Sequence, residues 1–130
     1  MKAAIDHYQN KLNYEIDPAD LFSALEANQK IVVIDARKAP AFEHEHIPGA
    51  INLYHRDMNQ ASTANFDKDV VYVVYCDGIG CNGSTKGALN MTRLGFSVLE
   101  LIGGFEWWKR DGYQTEGTHH TAGKQIQCAC

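Results

Sequence analysis

The chain has 130 residues, the length of one ordinary domain, and its 12 Lys and Arg against 16 Asp and Glu residues give a formal net charge of −4. A negatively charged chain without a basic stripe is a poor ligand for nucleic acid or an anionic membrane, so neither is expected as a partner. No stretch has the apolar pattern of a secretory signal or the length of a membrane span, and we therefore expect a cytoplasmic protein.

Strands and helices are predicted to alternate along the first half of the chain. Residues 1–13 are expected to be a short polar lead-in, followed by a brief edge strand at 14–16. Asp17 and Pro18 supply an N-cap and a first-turn proline for a helix that ends near Ala27. The next predicted elements are a strand at 31–34, a short helix at 40–45, and a strand up to residue 53.

The second half continues the same alternation. Residues 54–69 are predicted to be irregular, and a strand at 70–75, a helix at 84–94, a strand at 96–102 and an aromatic helix at 105–109 follow. The polar tail at 114–130 is expected to be mobile. The prediction is therefore a single α/β domain over 14–113, with a central, mostly parallel sheet of about five strands and helices on both faces.

The stretch around Cys76 carries the strongest chemical pattern. Six β-branched or aromatic residues run into Cys76, and a glycine-rich loop then leads into a helix. Backbone N–H groups in such a loop, together with a helix N-terminus, favour an anion, so we expect Cys76 to be a thiolate nucleophile. The predicted active-site loop comprises Asp77, Gly78, Ile79, Gly80, Cys81, Asn82, Gly83 and Ser84.

Three other anion-binding patterns overlap this loop. Gly78, Gly80 and Gly83 match the G-x-G-x-x-G dinucleotide fingerprint, but they lie past the midpoint of the chain rather than in a first βα turn. A dinucleotide-binding domain is kept as a remote alternative. The Walker pattern fails because Ser84 stands where a lysine is needed, and the C-x5-R phosphatase pattern fails because Asn82 stands where an arginine is needed.

Several segments in order resemble the rhodanese-like sulfurtransferases. They are Ile34-Asp35-Ala36-Arg37 with Phe42, residues 46–53 (HIPGAINL), Tyr75-Cys76 with the glycine loop, Leu94-Gly95-Phe96, and Gly103-Gly104 with Trp108. The resemblance implies a rhodanese-like domain in which Cys76 accepts a sulfane sulfur as a persulfide and passes it to a thiol or another nucleophile. It further implies a small sulfur donor and a thiol acceptor as partners, a protein persulfide partner as a further candidate, and neither a cofactor nor a metal.

The loop departs from the common form of that family. Common loops carry one or two arginines beside the cysteine, whereas this loop carries Asp77 and reaches its first cation at Lys86. Thiosulfate is therefore expected to be a poor donor. The sequence C-x-G-x-x-C-N from Cys76 to Asn82 resembles a less common subgroup with an extended loop.

Other candidate residues have two interpretations. His55, Arg56 and Lys86 either supply the missing pocket cations or belong to exposed polar segments. Cys81 is either a resolving thiol that forms a disulfide with Cys76 or a small packing residue. A structural motif is expected from the Asp35–Arg37 ion pair and from a turn set by His46, Pro48 and Gly49.

The four cysteines form two close pairs, Cys76 with Cys81 and Cys128 with Cys130, which favours reactive over structural thiols. His119 and His120, together with Cys128 and Cys130, form a weak pattern for a metal site or a relay. A frayed terminus is the favoured interpretation of this segment. A non-catalytic rhodanese-type module, which binds a partner protein or senses redox state, is the main alternative to an enzyme. An intact cysteine with a glycine cradle argues against it.

Overall fold

The computed structural model describes residues 1–127. Strands and helices alternate as the sequence predicts. The strands are β1 (Glu15–Ile16), β2 (Ile31–Asp35), β3 (Ile51–Asn52), β4 (Val71–Tyr75) and β5 (Ser97–Leu101). The helices are α1 (Lys2–Tyr14), α2 (Pro18–Glu26), α3 (Ala39–His44), α4 (Gly83–Arg93) and α5 (Gly104–Arg110), with a 3-10 turn at His55–Asp57.

The five strands form one parallel sheet in the order β1-β5-β4-β2-β3. β4 is the central strand, and its Val73 lies opposite Val33 of β2 and Leu99 of β5. Because every strand runs in the same direction, all the carboxyl ends lie at one edge of the sheet, where α/β proteins bind ligands. The predicted α/β class and five-stranded parallel sheet are confirmed.

A hydrophobic core lies on each face of the sheet. On one face, Val73 and Tyr75 of β4 pack with α2 and α5, where Trp108 is the largest fully buried side chain. On the other face, Tyr72 and Val74 pack with Met91 of α4. This alternation along β4 explains why its sequence is a continuous apolar run, since both of its faces are covered.

The first helix differs from the predicted lead-in. Residues 2–14 form a helix with no buried residue, supported by an exposed ion pair between Lys11 and Glu15 at 2.7 Å. Good helix formers such as Ala3, Ala4 and Leu12 account for it, although the segment lacks a buried face that periodicity could detect. The predicted edge strand after it is confirmed as β1.

The tail also differs from the prediction, because the part up to Gln127 lies against the domain. Thr115 is 1% exposed, Glu116 forms an antiparallel bridge with His46, and Ile126 packs on the core beside α2 and α5. Cys128 and Cys130, the basis of the metal or relay pattern, lie outside the described residues.

Over residues 1–127, no helix combines the length and the hydrophobicity that are needed to cross a bilayer.

Candidate active site

Cys76 follows β4 directly, at the carboxyl end of the central strand, and is 5% exposed. The predicted loop leads from it to Gly83, where α4 begins. A turn within the loop is closed by a hydrogen bond from the Cys81 N–H to the Gly78 carbonyl at 3.1 Å. The sequence therefore places Cys76 correctly between a buried strand and a helix N-terminus.

The beginning of α5 holds the first residues of the loop. The Phe105 N–H donates to the Cys76 carbonyl at 2.9 Å, and the Glu106 N–H donates to the Asp77 carbonyl at 2.8 Å. Gly104 has a φ of +61°, and a Cβ at this position would lie 2.6 Å from the Cys76 carbonyl oxygen. Only glycine permits this close approach, which explains why residue 104 is a glycine.

Cys76 and Cys81 form a disulfide, with their Cα atoms 6.3 Å apart. This separation lies in the range of ~4.4–6.8 Å that disulfides require. Both sulfurs lie over Gly83, where a Cβ would be 2.8 Å from the Cys76 sulfur and 3.3 Å from the Cys81 sulfur. The Gly83 N–H donates to the Cys81 sulfur at 3.4 Å. The bond shows that the two sulfurs come within reach of each other, and the resolving role of Cys81 stays a prediction.

The disulfide limits what else the loop can hold in this state. Cys76, Asp77 and Cys81 each place a potential metal-ligating atom within 4.8 Å of the others, but the two sulfurs are bonded to each other and are not thiolates. The space beside Gly83 is also filled by these sulfurs, so a pyrophosphate could not approach the backbone there as the dinucleotide hypothesis requires.

Asp35 and Arg37 form the expected ion pair, at the end of β2 and next to the loop. Arg37 donates from Nη2 to the Asp35 carboxylate at 2.7 Å, and both side chains are buried. The Tyr75 hydroxyl donates to the same carboxylate at 2.9 Å and accepts from the Ile47 N–H at 3.1 Å. Arg37 Nη1 also reaches the Asp77 carboxylate at 3.2 Å, so the buried pair is linked to the residue after Cys76.

His46, Pro48 and Gly49 lie in the turn before β3, as predicted. His46 stacks on Phe42 with ring centroids 3.8 Å apart, and its Nδ1 lies 2.6 Å from the Phe42 carbonyl oxygen. Gly49 has a φ of +79°, which a turn glycine adopts readily. These observations support a structural role for His46 and Gly49, and Pro48 lies between them in the same turn.

The three candidate pocket cations lie on the 3-10 turn and on α4. Burial, with Lys86 and Arg56 nearby, lowers the pKa of His55, which disfavours its charged form. Arg56 and Lys86 are exposed. His55 is therefore a weak candidate for a fixed positive charge at neutral pH, and Arg56 and Lys86 remain as candidates.

Sequence reasoning missed that the carboxylate of Glu100 on β5 lies beside the active-site loop. The Ser84 and Thr85 hydroxyls donate to it at 2.7 and 2.6 Å, so the hydroxyl of Ser84 is engaged away from the cysteines. Glu100 and Glu15 line a groove of about 320 Å³ that Cys81 also lines, and the Glu15 carboxylate is paired with Lys11 at 2.7 Å. The groove depends on strand neighbours that local sequence patterns do not reveal.

A second missed residue is Glu45, a buried carboxylate that ties the tail to the domain. It accepts hydrogen bonds from Lys109 at 2.8 Å and from Thr115 at 2.6 Å, and from Thr121 as well. Burial alone would raise the pKa of Glu45, but these hydrogen bonds and the charge of Lys109 lower it to about 2.

The depressed pKa of Glu45 predicts acid-sensitive stability. A carboxyl group whose pKa is lower in the folded than in the unfolded state stabilises the fold above its unfolded pKa, and this contribution disappears as the pH falls through the folded value. We expect the free energy of unfolding, measured in urea, to decrease as the pH is lowered from about 4.5 to about 2. Glu45→Gln should flatten the curve in this window, and an unchanged curve would contradict the assignment.

The fold and the site together define a class: a parallel α/β domain that presents a cysteine at the mouth of a loop before a helix N-terminus. The rhodanese-like domain model matches residues 18–111. The chain belongs to the rhodanese-like domain family.

The relatives agree with this assignment. Thiosulfate sulfurtransferase GlpE of Coxiella burnetii (strain RSA 331 / Henzerling II) is 38% identical over 81 residues, which cover 61% of this chain and 72% of the relative. GlpE of Pseudomonas savastanoi pv. phaseolicola is 35% identical over 83 residues, which cover 62% of this chain and 74% of the relative. The crystal structure of the BH2092 protein from Bacillus halodurans has a TM-score of 0.87 and 41% identity, and the match covers 92% of this chain and 88% of that one.

Proposed function

We propose that the protein is a sulfurtransferase or persulfide carrier in which the Cys76 thiolate accepts a sulfane sulfur and passes it to a thiol or another nucleophile. Family membership supports sulfurtransferase activity in general, and the relatives named thiosulfate sulfurtransferase point in the same direction. The observation that carries the proposal is the position of Cys76, at the carboxyl end of the central strand in a loop that two helix N-termini meet.

The chemistry requires the reduced form of the protein. In the cycle, the Cys76 thiolate attacks the outer sulfur of the donor, the donor's sulfur–sulfur bond breaks, and Cys76 becomes a persulfide. The N-terminus of α4 would stabilise the persulfide anion as it does a thiolate. Because Cys76 is bonded to Cys81 in the structure, a reductant must first open that disulfide.

The proposal is tested by loading the reduced protein with sulfur. Thiosulfate, inorganic polysulfide and glutathione persulfide are offered separately, and one added sulfur is sought by intact mass on Cys81→Ser, in which Cys76 cannot form the loop disulfide. Peptide mapping should place that sulfur on Cys76. Added sulfur found only on Cys128 or Cys130 would refute the mechanism. Added sulfur found on neither Cys76 nor the tail would refute it as well.

We further predict that polysulfide or a low-molecular-weight persulfide is a better donor than thiosulfate, because thiosulfate concentrates two negative charges on one small anion whereas a polysulfide spreads its charge along a chain. Asp77 adjoins Cys76, and Glu15 and Glu100 line the neighbouring groove. The positive charge of Arg37 is shared between Asp35 and Asp77. Within the loop at 77–84, the only charged side chain that a dianion meets is the Asp77 carboxylate.

Asp77→Asn tests this donor preference. It removes the carboxylate next to Cys76 and leaves Arg37 with one acidic partner fewer, whereas Asp77→Arg would place a second cation against Arg37. We expect kcat/KM for thiosulfate to rise up to about fivefold, because a unit charge near 4 Å in water contributes about 1 kcal/mol. Asp6→Asn, which removes an exposed carboxylate from α1, is the control. An unchanged thiosulfate rate in Asp77→Asn would show that another cation already serves the donor.

The proposed partners are a small sulfur donor and a thiol acceptor, with a protein persulfide carrier as a further candidate. The cytoplasmic location stays a prediction.

A further inference from the structure

We propose that Cys81 is the internal acceptor of the Cys76 persulfide, so that the protein releases the sulfane sulfur as sulfide and ends the turnover with a Cys76–Cys81 disulfide. This is a persulfide-reducing activity, distinct from transfer to an external acceptor. It rests on the proposed function, because Cys76 must first be loaded with sulfur.

The first support is the geometry of the two sulfurs. They are bonded in the structure, their Cα atoms are 6.3 Å apart, and they meet over Gly83, the one position of α4 where the absent side chain leaves room for both. The loop therefore brings the Cys81 sulfur to the Cys76 sulfur while the domain remains folded. Attack by a thiol held in place within the same loop has a large advantage over attack by a free thiol.

The second support is the difference in access between the two cysteines. Cys76 is 5% exposed, whereas Cys81 is half-buried and lines the groove with Glu15 and Glu100. An external thiol must therefore reach a sulfur that is almost fully buried, whereas the Cys81 sulfur is already in contact with it.

The third support is the electrostatic environment of the Cys81 sulfur. It accepts the Gly83 N–H at 3.4 Å, at the start of the 11-residue helix α4. A helix N-terminus stabilises a nearby anion, so it favours the thiolate of Cys81 that the attack requires. The same helix end faces both sulfurs.

The reaction balances in two steps. The Cys76 thiolate attacks the outer sulfur of an organic persulfide, which forms the Cys76 persulfide and releases the organic thiol. The Cys81 thiolate then attacks Sγ of Cys76, the Cys76–Cys81 bond forms, the bond to the outer sulfur breaks, and that sulfur leaves as HS⁻. The two cysteine sulfurs are oxidised by two electrons in total, and the sulfane sulfur is reduced to sulfide.

The disulfide of the structure is the product of this second step. A dithiol reductant must return it to two thiols, and attack on the more exposed Cys81 sulfur would release Cys76 as a thiolate. The chemistry therefore places the protein between a reaction that supplies persulfides and a dithiol reductant that accepts the oxidising equivalents.

The experiment uses the reduced full-length chain, freed of reductant and mixed with one equivalent of glutathione persulfide. Released sulfide is trapped and quantified, and the protein is analysed by intact mass and peptide mapping. We expect wild type to release one sulfide for each sulfur loaded and to acquire the Cys76–Cys81 disulfide. Cys81→Ser should still acquire a Cys76 persulfide, and it should release sulfide per sulfur loaded at least about tenfold more slowly.

Two further variants separate the alternatives. Gly83→Ala keeps both cysteines but places a methyl group where their sulfurs meet, so it should slow sulfide release and retain the Cys76 persulfide. The double variant Cys128→Ser/Cys130→Ser should release sulfide like wild type. Loss of sulfide release in the double variant would assign the resolving role to the tail and overturn the inference.

The outcomes distinguish this inference from the proposed function. Equal sulfide release by wild type and Cys81→Ser, or a stable Cys76 persulfide beside a free Cys81 in wild type, would overturn the inference alone. If Cys76 were loaded neither in wild type nor in any of the variants, the proposed function would be overturned, and the inference with it.

Discussion

Cys76→Ser is expected to lower the turnover of the best sulfur donor at least about a thousandfold, because replacement of a covalent nucleophile removes the reacting atom itself. A serine hydroxyl is not ionised at neutral pH and cannot form a persulfide. The measurement is steady-state sulfur transfer with the donor in excess and a dithiol as the external acceptor, which also reduces any Cys76–Cys81 disulfide. The fold should survive, since serine is close in size to cysteine and the loop is anchored through the backbone carbonyls of residues 76 and 77.

Cys81→Ser is the matched control for this prediction, since it removes the other sulfur of the same disulfide. Transfer to an external thiol requires Cys76 alone, so Cys81→Ser should still transfer sulfur. Residual activity of Cys76→Ser above about one tenth of wild type would show that another residue carries the sulfur and would refute Cys76 as the nucleophile.

Arg37→Met is expected to cost about 3–5 kcal/mol of the free energy of unfolding, the usual effect of leaving one partner of a buried ion pair uncompensated. Asp35 is fully buried, and Arg37 also donates to the Glu45 carbonyl at 2.7 Å. Methionine approximates the volume of the arginine stem but supplies no charge and no donor. Urea unfolding should show a lower midpoint with an unchanged slope.

Two variants test the cause of this loss. Arg110→Met removes the exposed pair between Arg110 and Glu106 on α5, and it should cost less than about 1 kcal/mol. The double variant Asp35→Asn/Arg37→Met removes both buried charges and should be more stable than Arg37→Met alone. If Arg37→Met and Arg110→Met lowered the free energy of unfolding equally, the buried ion pair would contribute no more to stability than the exposed one.

Local patterns determined much of the fold and the position of the proposed nucleophile. Both faces of β4 are buried, so its continuous run of apolar residues is enough to predict a strand. The Asp17 N-cap and Pro18 predict the start of α2. Each of these features depends on residues close in the chain. The location of Cys76 at the end of a parallel strand then followed from the general architecture of α/β sheets.

Local sequence patterns did not predict an element that has no buried face. They also did not predict a segment that is held by residues distant in the chain. Helix α1 is exposed on every side, so no apolar periodicity distinguished it from a lead-in. The tail was expected to be mobile because its polar composition does not show that Thr115 lies against Glu45, 70 residues earlier in the chain.

By itself, the sequence determined the order of strands and helices, the cysteine at the end of the central strand and the glycine loop, because each depends on side-chain chemistry within a few neighbouring residues. Only the tertiary structure decided that the Cys76 and Cys81 sulfurs meet over Gly83, and that Glu15 and Glu100 line the adjoining groove. The physical reason is that these properties are distances between atoms on separate segments, and the packing of β1, β5 and α4 around the loop sets those distances.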